Sequence, residues 1–234
     1  MDRAEQIINY LIETYDPNAI ILYGSFADGS AGKNSDFDAI VITDHVKKHD
    51  ASVIGETVLD VFLYPLETFR SDYDPMDFIQ VFDGKIILDK SGMAKELKQK
   101  VLDYIDRTPA KSAEEIQQEI DWCEKMLSRT IRGDAEGFYR WHWLLCDSLE
   151  IYSDINRLFY HGPKKALRQM EASNQEAFAL YTQALKELNH DHLAAWINYL
   201  KSISGWTVGG FRRRRPNPFR EGEFQKSEFL IPGN

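Results

Sequence analysis

The sequence predicts an α+β domain followed by an all-α helical domain. Short apolar runs typical of strands fall between residues 19 and 89, whereas amphipathic patterns with a helical period fill the chain from residue 93 to about 203. Strands that come first and helices that follow are typical of an α+β architecture. We therefore expect a mixed β-sheet flanked by helices over residues 1–92, a helical bundle over residues 93–205 and a basic tail over residues 206–234.

The elements of the first part follow in chain order. Residues 2–15 place their apolar side chains on one helical face, and Asp16-Pro17 ends that helix. Apolar runs short enough to be buried strands occur at residues 19–23, 36–43 and 57–64. Residues 79–89 hold Asp83-Gly84 between two apolar arms, which predicts a short hairpin.

The second part consists of helical patterns. Apolar side chains recur there at spacings of three and four residues, as they do on the buried face of a helix. The predicted helices cover residues 93–105, 116–131, 134–160, 163–171, 174–188 and 191–203.

Composition and charge narrow the functional class. The formal charge is −9. Proteins that bind nucleic-acid backbones are generally rich in Lys and Arg, so this charge disfavours a general nucleic-acid-binding protein. The basic tail, with Arg212-Arg213-Arg214-Arg215, is the exception. No apolar run is long enough to cross a bilayer, and the polar N-terminus is unlike a signal peptide. We expect a cytoplasmic protein without membrane partners.

The chemistry is concentrated in one segment. Gly24-Ser25 directly follows an apolar strand pattern, and ten residues later Asp36-Phe37-Asp38 opens the next strand. A glycine turn allows the backbone to approach a polyphosphate closely, and Ser25 adds a hydroxyl donor. Because side chains alternate along a strand, Asp36 and Asp38 share a face and offer hard oxygen ligands for Mg²⁺.

Asp60 strengthens this interpretation. It interrupts the apolar run Val58-Leu59-Asp60-Val61-Phe62, where an ionised carboxylate is costly unless it is paired or metal-bound. If its strand lies beside the strand of Asp36 and Asp38, three acids converge on one site. Two metal ions held there would assist phosphoryl transfer, with Asp60 as the candidate to accept the proton of the attacking hydroxyl.

Residues 19–64 resemble the signature of the polymerase β-type nucleotidyltransferase superfamily. The likeness consists of an apolar strand, Gly24-Ser25, an Asp-x-Asp pair in the next strand and a third carboxylate downstream. The resemblance implies two Mg²⁺ ions and transfer of a nucleoside monophosphate from a nucleoside triphosphate to an acceptor hydroxyl. By position, Gly24 and Ser25 would hold the triphosphate, and Asp36, Asp38 and Asp60 would bind metal.

The second part is similar to the helical domain of small-molecule members of that superfamily, such as aminoglycoside and lincosamide nucleotidyltransferases. The segment Asn156–Lys165 carries this likeness. The resemblance implies a small hydroxylated acceptor, with antibiotic resistance as one outcome. Asp147, Glu150 and Asp154 share a helix face and are candidates to contact a cationic acceptor, with a solvated acidic face as the alternative. Lys164 and Lys165 are candidates to reach nucleotide phosphates, and a solvated pair is their alternative.

Other functions remain open at this point. A nucleotidyltransferase of the toxin–antitoxin type would modify a protein or RNA, but such catalytic chains usually lack a long helical part of their own. A non-catalytic nucleotide-binding module has little need for three carboxylates beside a triphosphate. Extension of tRNA or poly(A) calls for a broad basic surface, which the charge of the first 205 residues does not supply.

Overall fold

The computed structural model describes residues 2–205, and the chain divides into two compact units, Met1–Thr108 and Pro109–Asn234. The predicted boundary after residue 92 differs from this division by one helix, Met93–Arg107, which packs on the sheet of the first unit. Helical periodicity identifies such a segment as a helix but does not tell which neighbour covers its apolar face. The predicted basic tail, residues 206–234, lies outside the described residues.

The first unit is a mixed sheet flanked by helices, as predicted. Its strands have the order β3-β5-β2-β1-β6, with β2 and β5 parallel and the other pairs of this order antiparallel, while the short β4 pairs with β5. In chain order the elements are α1 (Arg3–Tyr15), β1 (Ala19–Tyr23), α2 (Gly24–Asp28), β2 (Phe37–Thr43), β3 (Lys48–Asp50), β4 (Val53–Ile54), β5 (Thr57–Pro65), α3 (Leu66–Arg70), a 3₁₀ helix (Pro75–Asp83), β6 (Lys85–Asp89) and α4 (Met93–Arg107).

One part of the core of the first unit lies under α1, and another part includes Leu97 and Val101 of α4, which are fully buried. Ile7 and Leu11 of α1 are buried against alternate residues of the central strands, among them Phe37 and Leu59. Because side chains alternate across a sheet, the intervening residues of those strands face the other side. That other face carries the polar residues of the predicted site.

One predicted element is wrong. The first arm of the expected hairpin at residues 79–89 is part of the 3₁₀ helix, and the second arm alone forms a strand, β6, which pairs with β1. Asp74 caps the 3₁₀ helix by accepting a hydrogen bond from the Met76 N–H at 2.9 Å, and Pro75 occupies its first position. This Asp-Pro start was the overlooked helix signal.

The second unit is helical, as predicted. Its helices are α5 (Ala113–Thr130), α6 (Ala135–Ile155), α7 (Pro163–Ser173), α8 (Gln175–Lys186) and α9 (His190–Ser204). Their apolar faces meet in one core around the fully buried Trp196, whose indole N–H donates to the Ser148 hydroxyl at 2.9 Å. Among the described residues, every helix is too short or too polar to pass through a lipid bilayer.

Candidate active site

The parallel pairing of β2 and β5 places Asp38 directly opposite Asp60. Residues paired in this way leave the sheet on the same face, and neighbouring strands are only about 4.8 Å apart. The preceding pair, Phe37 and Leu59, is buried in the core on the opposite face. The sheet therefore brings two of the three predicted carboxylates side by side.

Gly24 lies against the Asp38 carboxylate. Its φ angle is +68°, and a Cβ atom at this position would lie 2.3 Å from Asp38 Oδ2. A residue with a side chain would therefore be both strained and in collision with the carboxylate. Gly24 begins α2, with Ser25 as the next residue, so the predicted Gly-Ser turn and Asp38 share one location.

Asp36 stands at the entrance of β2. It is exposed, and it lies two residues before Asp38 with the buried Phe37 between them. Because β2 begins at Phe37, Asp36 lies just outside the strand, and its place beside Asp38 stays a prediction.

His49 belongs to the site and was not predicted. Its Nε2 lies 2.7 Å from Asp60 Oδ1, and its ring stacks on Phe62 with 4.5 Å between the ring centroids. The antiparallel pairing of β3 with β5 sets His49 opposite Phe62, on the face that carries Asp60. The stretch from Asp44 to Asp50 is polar apart from Val46 and gives no strand signal.

Tyr23 is the other residue that the sequence did not indicate. It pairs with Asp38 across β1 and β2 and is therefore on the same face. Burial raises the pKa of the Tyr23 hydroxyl, and the negative charges of Asp38 and Asp60 raise it further. Tyr23 is thus a neutral hydroxyl beside two carboxylates.

The first unit matches a known family. Residues 5–93 match the family model "Polymerase beta, Nucleotidyltransferase". This match supports the resemblance of the first unit to the polymerase β-type nucleotidyltransferase superfamily. A nucleotidyltransferase-like protein from Exiguobacterium sibiricum, of known crystal structure, is similar at 16% identity over 88% of this chain and 76% of that chain, with a TM-score of 0.37. No curated protein sequence matches the chain.

The first unit offers oxygen donors for a divalent cation. Within residues 2–205, no three or more His, Cys, Asp or Glu side chains are grouped as a ready-made metal site. Magnesium often binds one or two carboxylates and completes its shell with water and substrate phosphates. The adjacent Asp38 and Asp60, with the close backbone approach at Gly24, fit that mode of binding.

A pocket of about 480 Å³ lies between α5 and α6 in the helical unit. Two of the predicted acceptor residues, Asp147 and Glu150, line it, and the third, Asp154, forms an ion pair with Lys111 at 2.8 Å. The lining residues are Lys111, Glu115, Gln118, Glu119, Trp122, Asp147, Glu150 and Ile151. Four carboxylates and one ammonium group make this pocket acidic.

Lys111 and Glu119 define the electrostatics of this pocket. Burial alone would lower the pKa of Lys111, but its hydrogen bonds to Asp154 and Glu119 outweigh burial and raise it. Burial raises the pKa of Glu119, and Lys111 only partly offsets that rise. The lysine is therefore a fixed positive charge beside Glu119, whose ionised form burial disfavours.

The two predicted phosphate contacts lie elsewhere in the helical unit. Lys164 and Lys165 are in the first turn of α7, where Lys164 is exposed and Lys165 is half-buried. Their contact with a nucleotide stays a prediction.

Proposed function

We propose that the protein is a magnesium-dependent nucleotidyltransferase that transfers a nucleoside monophosphate from a nucleoside triphosphate to a hydroxyl of a small acceptor. The observation that carries the proposal is the pairing of Asp38 with Asp60 beside Gly24. This arrangement places negative oxygens for cations directly beside the Gly-Ser turn that begins α2.

In this proposal each residue of the site has a role. Gly24 and Ser25 hold the triphosphate at the start of α2, where a side chain on Gly24 would collide with the Asp38 carboxylate. Asp36, Asp38 and Asp60 would hold the two expected Mg²⁺ ions, whose charge would offset the negative charge of the phosphates. Asp60 also accepts the proton of the attacking hydroxyl.

The acceptor in this proposal is cationic as well as hydroxylated. Asp147 and Glu150 line a pocket whose other ionisable residues are two glutamates and one lysine. A ligand with ammonium groups would gain favourable charge interactions there, and a phosphorylated ligand would be repelled. Aminoglycoside antibiotics have this chemistry, so resistance to such compounds is the biological role that we propose.

The first test is calorimetric titration with a non-hydrolysable ATP analogue, with and without Mg²⁺. We expect metal-dependent binding to the wild type and its loss in Asp38→Ala, because this substitution removes a carboxylate that lies against Gly24. Asp44→Ala is the matched control, since Asp44 directly follows β2 at its far end and accepts from the Asn18 amide at 2.7 Å.

Pyrophosphate release with cationic and neutral hydroxylated acceptors then tests transfer itself. If GTP, CTP and UTP also fail to bind the wild type, the catalytic proposal falls. Normal binding and turnover in Asp38→Ala would refute the assigned site.

A further inference from the structure

Two consecutive residues of the edge strand β3, His49 and Asp50, face the candidate active site and the core, respectively. β3 pairs with β5 in an antiparallel register that sets His49 opposite Phe62 and Asp50 opposite Val61. Side chains alternate across a sheet, so His49 faces the site and Asp50 faces α1. Nothing in the family match assigns a role to either residue.

Asp50 fixes the position of β3. It is 1% exposed, and its carboxylate accepts hydrogen bonds from the hydroxyls of Tyr15 at 2.8 Å and Tyr10 at 3.2 Å, both on α1. It also accepts from the backbone N–H of Ser52 at 3.0 Å and from the Ser52 hydroxyl at 2.5 Å. A strand of three residues is thereby held to a helix as well as to its neighbour.

The contact between His49 and Asp60 is poorly explained as a stabilising ion pair. Their side chains are 47% and 41% exposed, and pairs with such exposure contribute little to folding. Its geometry is nevertheless well defined, because the His49 ring is stacked on Phe62 with 16° between the planes. An ionised carboxylate can only accept, so Nε2 donates to Oδ1.

We propose that His49 is a positioning residue that holds the Asp60 carboxylate in the orientation needed to bind a cation beside Asp38. The inference rests on the proposed function. By engaging one carboxylate oxygen of Asp60, His49 fixes the orientation of this side chain beside Asp38. Hydrogen-bonding partners of metal-ligating side chains commonly fix ligand orientation in this way.

The test is Mg²⁺-dependent binding of the ATP analogue to purified variants of the full chain. We expect His49→Ala to weaken binding in the presence of Mg²⁺ by about 10-fold or more, the usual scale for losing such a partner. Binding without Mg²⁺ should not change. His49→Gln should recover most of the loss, because its amide nitrogen can donate at a similar reach.

Two further variants separate positioning from a general structural role. In an Asp60→Ala background, His49→Ala should have no additional effect, because His49 acts through Asp60. His45→Ala is the matched control, an exposed histidine in the segment just before β3. It should bind the analogue as the wild type does.

Several outcomes would overturn the inference. One is that His49→Ala binds the analogue with Mg²⁺ as tightly as the wild type does. Another is that His49→Ala weakens binding as much in the Asp60→Ala variant as in the wild type. A loss that also appears without Mg²⁺ would point to general disruption of the fold and would overturn it too. Absence of metal-dependent binding in the wild type would instead refute the proposed function, and this inference with it.

Discussion

The molecule carries two groups of acids, and they are built differently. In the first unit, Asp38 and Asp60 stand on neighbouring strands, and their relative position is fixed by the sheet. In the second unit, the acids stand on α5 and α6 around Lys111, which pairs with Glu119 and Asp154. The partner of Asp60 is a histidine, whereas the partner of the pocket acids is a lysine.

This difference separates a site that depends on geometry from one that depends on charge. Strand pairing fixes the backbone positions from which the two carboxylates extend, as a site with strict geometric demands requires. Acids on two helices around a single paired ammonium group suit a ligand that is held by its net charge. Small steric changes should therefore impair the Asp38–Asp60 site most. Changes of charge should impair the acidic pocket most.

The largest effect is expected from a single methyl group at Gly24. Gly24→Ala places a Cβ atom 2.3 Å from Asp38 Oδ2 and must displace that carboxylate. A shift of about 1 Å in a reacting group can lower turnover by about 100-fold. Pyrophosphate-release kinetics with a substrate found in the acceptor screen would measure the loss.

Gly29→Ala is the matched control for this prediction. Gly29 also has a positive φ, +81°, but a Cβ atom there would meet nothing within 4 Å. Both variants should lose about 1–2 kcal/mol of stability for the left-handed backbone. Equal turnover in the two variants would show that the close approach to Asp38 is irrelevant to transfer.

A smaller effect concerns the response of buried acids to pH. Burial alone would raise the pKa of Asp50, but hydrogen bonds from Ser52, Tyr15 and Tyr10 outweigh it and hold the pKa below its usual range. The ionised carboxylate therefore stabilises the first unit at pH values above about 3.9, the unfolded pKa, and this contribution is lost as the pH falls through the lower folded value. Asp50→Asn should cost about 1–3 kcal/mol at pH 7 and progressively less below pH 4.

Glu119 should show the opposite sign. Because burial raises its pKa in the folded protein, its charge is a burden at pH 7 that is relieved as the pH falls through the raised value. Glu119→Gln should therefore be neutral or slightly stabilising at pH 7. Urea unfolding of both variants at pH 7 and pH 3.5 checks the prediction, and a destabilised Glu119→Gln at pH 7 would contradict it.

The smallest effect is expected in the pocket. Asp147→Asn and Glu150→Gln should each lower the affinity for a cationic acceptor by roughly 3- to 10-fold. This loss should be smaller at high salt, because salt screens partly exposed charges. Asp121→Asn is the control, an exposed acid on α5 that accepts from Gln117. The same loss in that control would mean that overall charge, and not the pocket, attracts the acceptor.

Much of the site could be predicted because its residues break strong local patterns. Asp60 stands out as the one charge in an apolar run, and Gly24-Ser25 directly follows an apolar strand. Fixed alternation along β2 then placed Asp38 and Phe37 on opposite faces, as the structure confirms for the buried Phe37.

The rest could not be predicted because it depends on tertiary pairing. β3 is a strand only because β5 offers it a partner, and its sequence Lys48-His49-Asp50 is otherwise typical of a loop. The pairing partner of Asp60 was therefore invisible in the sequence. Likewise, the pattern of residues 93–105 predicts a helix, but the sheet it covers is known only from the structure.

The parallel pairing of β2 with β5 also bears on the order in which the site assembles. β5 inserts between β2 and β3, which are adjacent in the chain but not in the sheet. His49 and Asp60 are 11 residues apart, whereas Asp38 and Asp60 are twice as far, and each doubling of a loop adds about 0.6 kcal/mol to its closure entropy. If refolding starts from the β3–β5 hairpin, Asp60 is hydrogen-bonded to His49 before β2 pairs with β5. The two carboxylates of Asp38 and Asp60, which repel each other, then come together in the last step.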